Sequence, residues 1–131
     1  KISIKDYLGV ESYIVNGGFD FVGAFPIDSA NYAYLEVDTT KLLSAWGGAL
    51  KNVGICEPRN PFDALYAYDS KSDSVDFEGQ AAVIFRFDHD EDDDITFKAA
   101  AASFQLYAVK VDANGEPLAT TMKNILDWLN R

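Results

Sequence analysis

The densest concentration of reactive side chains is the acidic run that follows Asp88. Asp88, Asp90, Asp92 and Asp94 recur at every second residue, the spacing a calcium loop uses to surround an oxygen-seeking cation. Read as an EF-hand beginning at Asp88, the sixth position is Asp93 rather than Gly and the twelfth is Ala99 rather than Glu, so that template fails. A looser calcium site remains open. The plainer expectation is a solvated loop whose charge keeps a hairpin end from pairing with other chains. His89, the sole histidine, lies inside this run. Any Ser-His-Asp or Cys-His engine has to recruit it, and no nucleophile stands beside it in the sequence.

The remaining catalytic options are weaker still. Cys56 is the only cysteine, which excludes an internal disulfide and a cysteine zinc site. Arg59 is the one basic residue near it, so a small apolar strand residue is expected rather than an activated thiolate. Glu11, Glu36, Glu57, Glu78 and Glu116 are the carboxylates that glycoside hydrolysis would draw on, but their spacing pairs none of them. The Gly17-Gly18 and Gly47-Gly48 pairs do not fit a phosphate-binding loop, which needs G-x-G-x-x-G or a Walker lysine between strand and helix. A protein that is not an enzyme is the expectation.

Aromatic residues offer a different chemistry. Tyr32 and Tyr34 fall on the strand face that also carries Glu36 and Asp38, while Trp46, Tyr66 and Tyr68 flank loops rich in Asn and Asp. Exposed rings beside acids and amides suit a sugar: the ring covers the apolar pyranose face and the polar groups bond its hydroxyls. The competing reading puts these rings in the core, or, for Tyr66 and Tyr68 with Phe62, at a subunit interface.

The elements that must hold these residues read mainly as strands. Ala81, Val83, Phe85 and Phe87 alternate with Ala82, Ile84, Arg86 and Asp88, which predicts a half-buried antiparallel strand before the acidic turn. Ile95 to Ala99 and Phe104 to Val111 alternate in the same way after it. Phe19, Phe21, Gly23 and Phe25 predict a strand entered from the Asn16-Gly17-Gly18 turn and ended by Pro26. Tyr32–Asp38 predicts another. Between Asp38 and Gly54 the residues favour a short helix or turn and then a strand at Val53–Cys56, against an unbroken helix interrupted by two glycines. Phe62–Tyr68 reads as a strand or a helical turn. From Thr120 or Thr121 onward a helix is predicted, with Met122, Ile125, Leu126 and Leu129 on one stripe, and Lys1–Ile4 is an edge strand or arm. The sum is one domain over 1–131, a mainly β chain folded as an antiparallel, jelly-roll-like β-sandwich with a short C-terminal helix.

Composition sets the outer bounds. With 131 residues, 48% of them apolar and 14% aromatic, the chain buries a core without staples and is not a disordered tail. Its net charge of −10 comes from 21 acidic and 11 basic residues, and six of the acids are Asp88 and the stretch from Asp90 to Asp94. Scattered Lys and Arg on so acidic a chain argue against nucleic acid and anionic membrane surfaces as partners. No apolar run approaches the ~18–20 residues of a membrane span. The opening at Lys1 is compatible with a mature secreted product, a processed virion protein or an excised module.

Two resemblances follow from particular residues. The strand pattern, the NGGF opening of a strand and the acidic, tyrosine-bearing face resemble jelly-roll carbohydrate-binding modules in architecture. DTTKLLSAWGGALKNVGI, Asp38 to Ile55, resembles a segment of small phage head-decoration proteins, and the rest of the chain does not follow that family. The first implies a non-catalytic module that binds an extracellular glycan through Tyr32, Tyr34, Trp46, Tyr66 and Tyr68. The second implies a virion or fibre subunit whose partners are other protein subunits. The expected location is extracellular or on a virion surface, with no cofactor apart from the calcium option and with oligomerisation open.

Overall fold

The structure, a computed structural model, describes residues 10–58, 60, 63–88, 98–111 and 116–130. The Lys1–Ile4 arm, the acidic run with His89 and the turn expected over 112–115 lie outside these residues. The described strands are β1 (Val10–Asn16), β2 (Phe21–Pro26), β3 (Leu35–Glu36), β4 (Val53–Pro58), β5 (Ala64–Ser70), β6 (Ala81–Asp88) and β7 (Lys98–Ala102), followed by the helix α1 (Glu116–Leu129). Five strands form a curled half-barrel in the order β3-β2-β5-β6-β7, and β1 and β4 form a separate two-stranded sheet. All pairings are antiparallel. The chain is mainly β with one C-terminal helix, as its patterning predicts.

The hairpin between β6 and β7 is present, running in register from Ile84↔Ala102 to Asp88↔Lys98. Its first strand is not half-buried, however. Ala82, Val83, Ile84 and Phe85 are all buried, because β6 has packed neighbours on both faces. Val83 and Ile84 join the main core with Phe21, Leu35, Val53 and Val109, while Ala82 and Phe85 pack with Val10, Cys56 and Ala64 in a second cluster. The two-stranded sheet supplies Val10 and Cys56 to that second cluster, so burial on both sides replaces the alternation of a strand with one wet face.

Local departures from the sequence expectation have identifiable causes. In β2, Phe21 pairs with Ser70 and Gly23 with Asp69, which leaves Val22 as an extra residue. The irregularity reverses the strand's facing, so Phe21 and Ala24 enter the core while Phe25 turns outward. The Tyr32–Asp38 segment forms only the short β3 plus a bridge at Val37 to Val109. Phe104–Val111 is not a long strand either: a 3₁₀ turn at Leu106–Ala108 interrupts it. The two segments hold each other through Asp38 N–H to Ala108 O at 2.7 Å and Lys110 N–H to Glu36 O at 2.6 Å. From Asp38 to Gly54 the chain makes 3₁₀ turns at Thr39–Lys41 and Ser44–Trp46 and then enters β4. Gly47 at φ +65° and Gly48 at φ +81° end the second turn in a conformation that strongly favours glycine.

α1 begins at Glu116, earlier than the apolar stripe suggests, and Pro117 sits in its first turn, where a missing N–H costs nothing. Thr121 and Ile125 are buried, and Leu126 of the expected stripe is half exposed. The helix is fastened near its end by Trp128, whose ring receives Arg86 at 5.0 Å and Lys98 at 5.4 Å.

Candidate functional site

The five aromatic residues expected to share a surface do not share one. Tyr66 and Tyr68 have 0% exposure and lie in the main core, so neither offers a ring face to a ligand. The physical reason is that each hydroxyl finds partners inside, which removes the penalty for burying it. Tyr66 Oη donates to Ala33 O at 2.6 Å and lies 2.5 Å from Thr121 Oγ1, tying β5 to α1. Burial pushes its phenol up to about 12. Tyr68 Oη reaches Asp20 Oδ2 at 3.3 Å and meets Asn16 Nδ2 at 3.3 Å, and its ring packs edge-on to Phe21. Tyr32 is half-buried with its ring edge against Tyr66, centroids 5.9 Å apart. Trp46 is half-buried and stacks on Phe19 at 5.6 Å, where Lys51 Nζ covers the Phe19 ring.

Asp20, which no local sequence pattern marks, is the one buried acid among the described residues. Ser70 Oγ donates to its Oδ2 at 2.6 Å, and Ser72 donates to its Oδ1 from both Oγ at 2.6 Å and the backbone N–H at 3.0 Å. Asn16 Nδ2 adds a bond at 3.2 Å. Burial alone would raise the carboxyl's pKa, and the bonds from Ser70, Ser72 and Tyr68 outweigh it, so the pKa is lowered. Every oxygen is engaged, which makes Asp20 a clasp on the turn after β5 rather than a reactive group.

Tyr34 is the expected residue that does face outward, with 37% exposure. A Cβ on Gly23 would overlap the Tyr34 hydroxyl end of the ring and the Leu35 backbone carbonyl, so glycine at that place lets both the ring and β3 settle against β2. Phe25 flanks the ring at 5.4 Å, and the hydroxyl donates to Asp69 Oδ2 at 2.5 Å. Burial and the Asp69 bond both push the Tyr34 phenol upward, keeping it neutral. The ring is thereby held in place before any ligand arrives. Beside it lies a shallow depression of about 390 Å³ lined by Tyr34, Glu36, Asp38, Thr40, Gly48 and Lys110, among others. Glu36 Oε2 and Lys110 Nζ are 3.2 Å apart on its rim. Thr40 donates to Asp38 Oδ1 from its hydroxyl at 2.6 Å and its N–H at 3.0 Å, which holds the Asp38 carboxyl below the usual range. The face therefore combines one fixed ring with carboxylates, hydroxyls and an ammonium group within one small concavity.

Glu36 and Asp38 were legible as neighbours of Tyr34 from the strand alternation. Gly23, Phe25 and Lys110 were not, since the Val22 irregularity and the bridge to Val109 bring them in from other segments, and Thr40 arrives through the 3₁₀ turn that Asp38 caps. Cys56 is buried, and burial pushes its thiol up to about 11, so it stays protonated and unreactive near neutral pH. For the calcium reading, Asp88 closes β6, while Asp90, Asp92 and Asp94 lie outside the described residues. Among the described residues no group of three or more His, Cys, Asp and Glu is placed to hold a metal, and no helix is long and apolar enough to cross a membrane.

No family model, curated protein or solved structure matches this chain. The chemistry of the Tyr34 face has to be read from its own geometry.

Proposed function

We propose that the protein is a non-catalytic binding module whose ligand is an extracellular glycan or polysaccharide, held at the Tyr34 face. The observation that carries this reading is the pre-set Tyr34 ring beside a polar concavity containing Glu36, Asp38, Thr40 and Lys110. A pyranose laid on the ring covers its apolar face, and its hydroxyls meet acceptors on Glu36 and Asp38 and a donor on Lys110. Because Gly23 and Asp69 already fix the ring, little side-chain freedom is lost on binding. The β1–β4 pair packed over β6 supports a jelly-roll-like sandwich as the scaffold, the architecture the sugar reading expects. An extracellular or virion-surface location belongs to the same proposal.

Retention on insoluble polysaccharides and a glycan array test it. Wild-type protein should bind at least one glycan, and Tyr34→Ala should weaken that binding about tenfold, or ~1.4 kcal/mol. If no glycan retains the wild type, or Tyr34→Ala binds as well as wild type, the reading fails.

A second reading, a virion or fibre structural subunit, is favoured by one separate observation: β1 exposes Tyr13, Ile14 and Val15 in succession. A surface of that kind suits contact with another polypeptide.

A further inference from the structure

We infer that the Tyr34 face selects an amino sugar: its ligand is a polymer of glucosamine with charged ammonium groups, in preference to a neutral or acidic glycan. This deepens the glycan reading and rests on it.

Sheet register sets the charges in place. Gly23 of β2 pairs with Glu36 of β3 on one side and with Asp69 of β5 on the other. Residues paired across neighbouring strands share a face of the sheet, so the two carboxylates flank the glycine in one lateral row, their backbones about 10 Å apart. Gly23 carries no side chain, and the Tyr34 hydroxyl fills that gap and donates to Asp69 Oδ2. The polar end of the ring therefore has a carboxylate to either side. Asp38 adds a third carboxylate to the concavity, kept ionised by its bonds from Thr40.

Lysines answer only part of this charge. Lys110 is the one cation lining the concavity among the described residues, with its Nζ 3.2 Å from Glu36 Oε2. Lys41 Nζ stands 4.0 Å from Asp38 Oδ2, but its closer partners are the carbonyls of Tyr107 at 2.8 Å and Val109 at 3.2 Å. Three carboxylates against two lysines leave the face negative, on a chain that carries −10. An acidic sugar meets repulsion here, and a neutral one leaves the excess charge uncompensated. A glucosamine unit meets both features of the face. Its pyranose covers the ring while its ammonium group donates to a carboxylate in a charge-assisted bond. A bare metal ion fits less well, because among the described residues no three acids, histidines or cysteines are placed to hold one.

The test compares hexamers of β-1,4-linked glucosamine, N-acetylglucosamine and glucose, titrated calorimetrically into the full chain at low salt. The three differ only at C2, which carries an ammonium, an acetamide or a hydroxyl. The glucosamine hexamer should bind at least about fivefold more tightly than either neutral hexamer, and added salt should shrink that preference. Glu36→Gln should reduce the preference at least about twofold, and Lys110→Gln, which removes the competing ammonium, should enlarge it. Both side chains are more than half exposed, so both variants should keep the wild-type thermal midpoint. Spermine, which has ammonium groups but no pyranose, should bind at least about tenfold more weakly than the glucosamine hexamer. Equal or weaker binding of the glucosamine hexamer, a preference undiminished in Glu36→Gln, or spermine binding as tight as the hexamer overturns the inference. Binding of a neutral hexamer alone, lost in Tyr34→Ala, overturns it while the glycan reading stands. Failure of every glycan to bind removes both.

Discussion

At the scale of single residues, burial separates two kinds of polar group that look alike in sequence. Asp20 and Asp38 are both aspartates that accept bonds from hydroxyl residues, yet Asp20 is sealed in by serines remote in sequence and Asp38 lines an open concavity beside Thr40. Asp20→Asn puts an amide donor where Ser70, Ser72, Asn16 and Tyr68 all donate, and should destabilise the fold by about 2–4 kcal/mol in denaturant unfolding. The pH dependence has a definite sign. A carboxyl whose folded pKa lies below its unfolded value adds stability above the unfolded value, ~3.9, and loses it as pH falls through the folded one. Wild-type stability should therefore decline in acid below about pH 4, and the contribution of Asp20 to that slope should vanish in Asp20→Asn. Identical acid slopes in the two proteins would show that Asp20 is not the clasp described.

At the scale of elements, Tyr66 is the joint between sheet and helix. Its hydroxyl serves Ala33 O and Thr121 Oγ1 together, so Tyr66→Phe leaves the buried Thr121 hydroxyl without this partner and should cost about 1–3 kcal/mol. Adding Thr121→Val should cost less than the two single changes summed, because both act on one bond. The phenol's folded value, about 12, is above its unfolded value of ~10. The contribution of this group is thus whole below pH ~10 and is lost as pH rises toward 12, a loss that Tyr66→Phe should not share. Thermal melts between those pH values decide it. The same scale shows how much could be read from sequence. The β6–β7 hairpin, β2, the turns before β4 and the C-terminal helix were legible because apolar period and turn residues agree locally. The tyrosine face was only half legible: alternation placed Tyr34 with Glu36 and Asp38, but Tyr66 and Tyr68 looked equally available. Their hydroxyl partners, Thr121 for one and Asp20 for the other, are remote in sequence, and no local pattern announces them. The Val22 irregularity was hidden too, since one extra residue leaves the composition of a strand untouched while exchanging its faces.

At the scale of the whole molecule, the proposed glycan surface is a concavity where the Tyr34 ring, carboxylates and an ammonium group from three segments stand together. The order of strands in the half-barrel has a further, kinetic consequence. β5, β6 and β7 are consecutive in the chain and adjacent in the sheet, whereas β5 must also find β2, and β4 must find β1, across long stretches of intervening chain. Closing those larger loops gives up more chain entropy before contacts compensate it, so the β5–β6–β7 meander should form first and the β1–β4 pair should dock late. Pulse-labelled refolding should then protect amides of β6 before those of β1, and the reverse order would refute the sequence of events. A pair that docks late is also the readiest to open, which makes β1–β4 the least persistent pairing among the described strands.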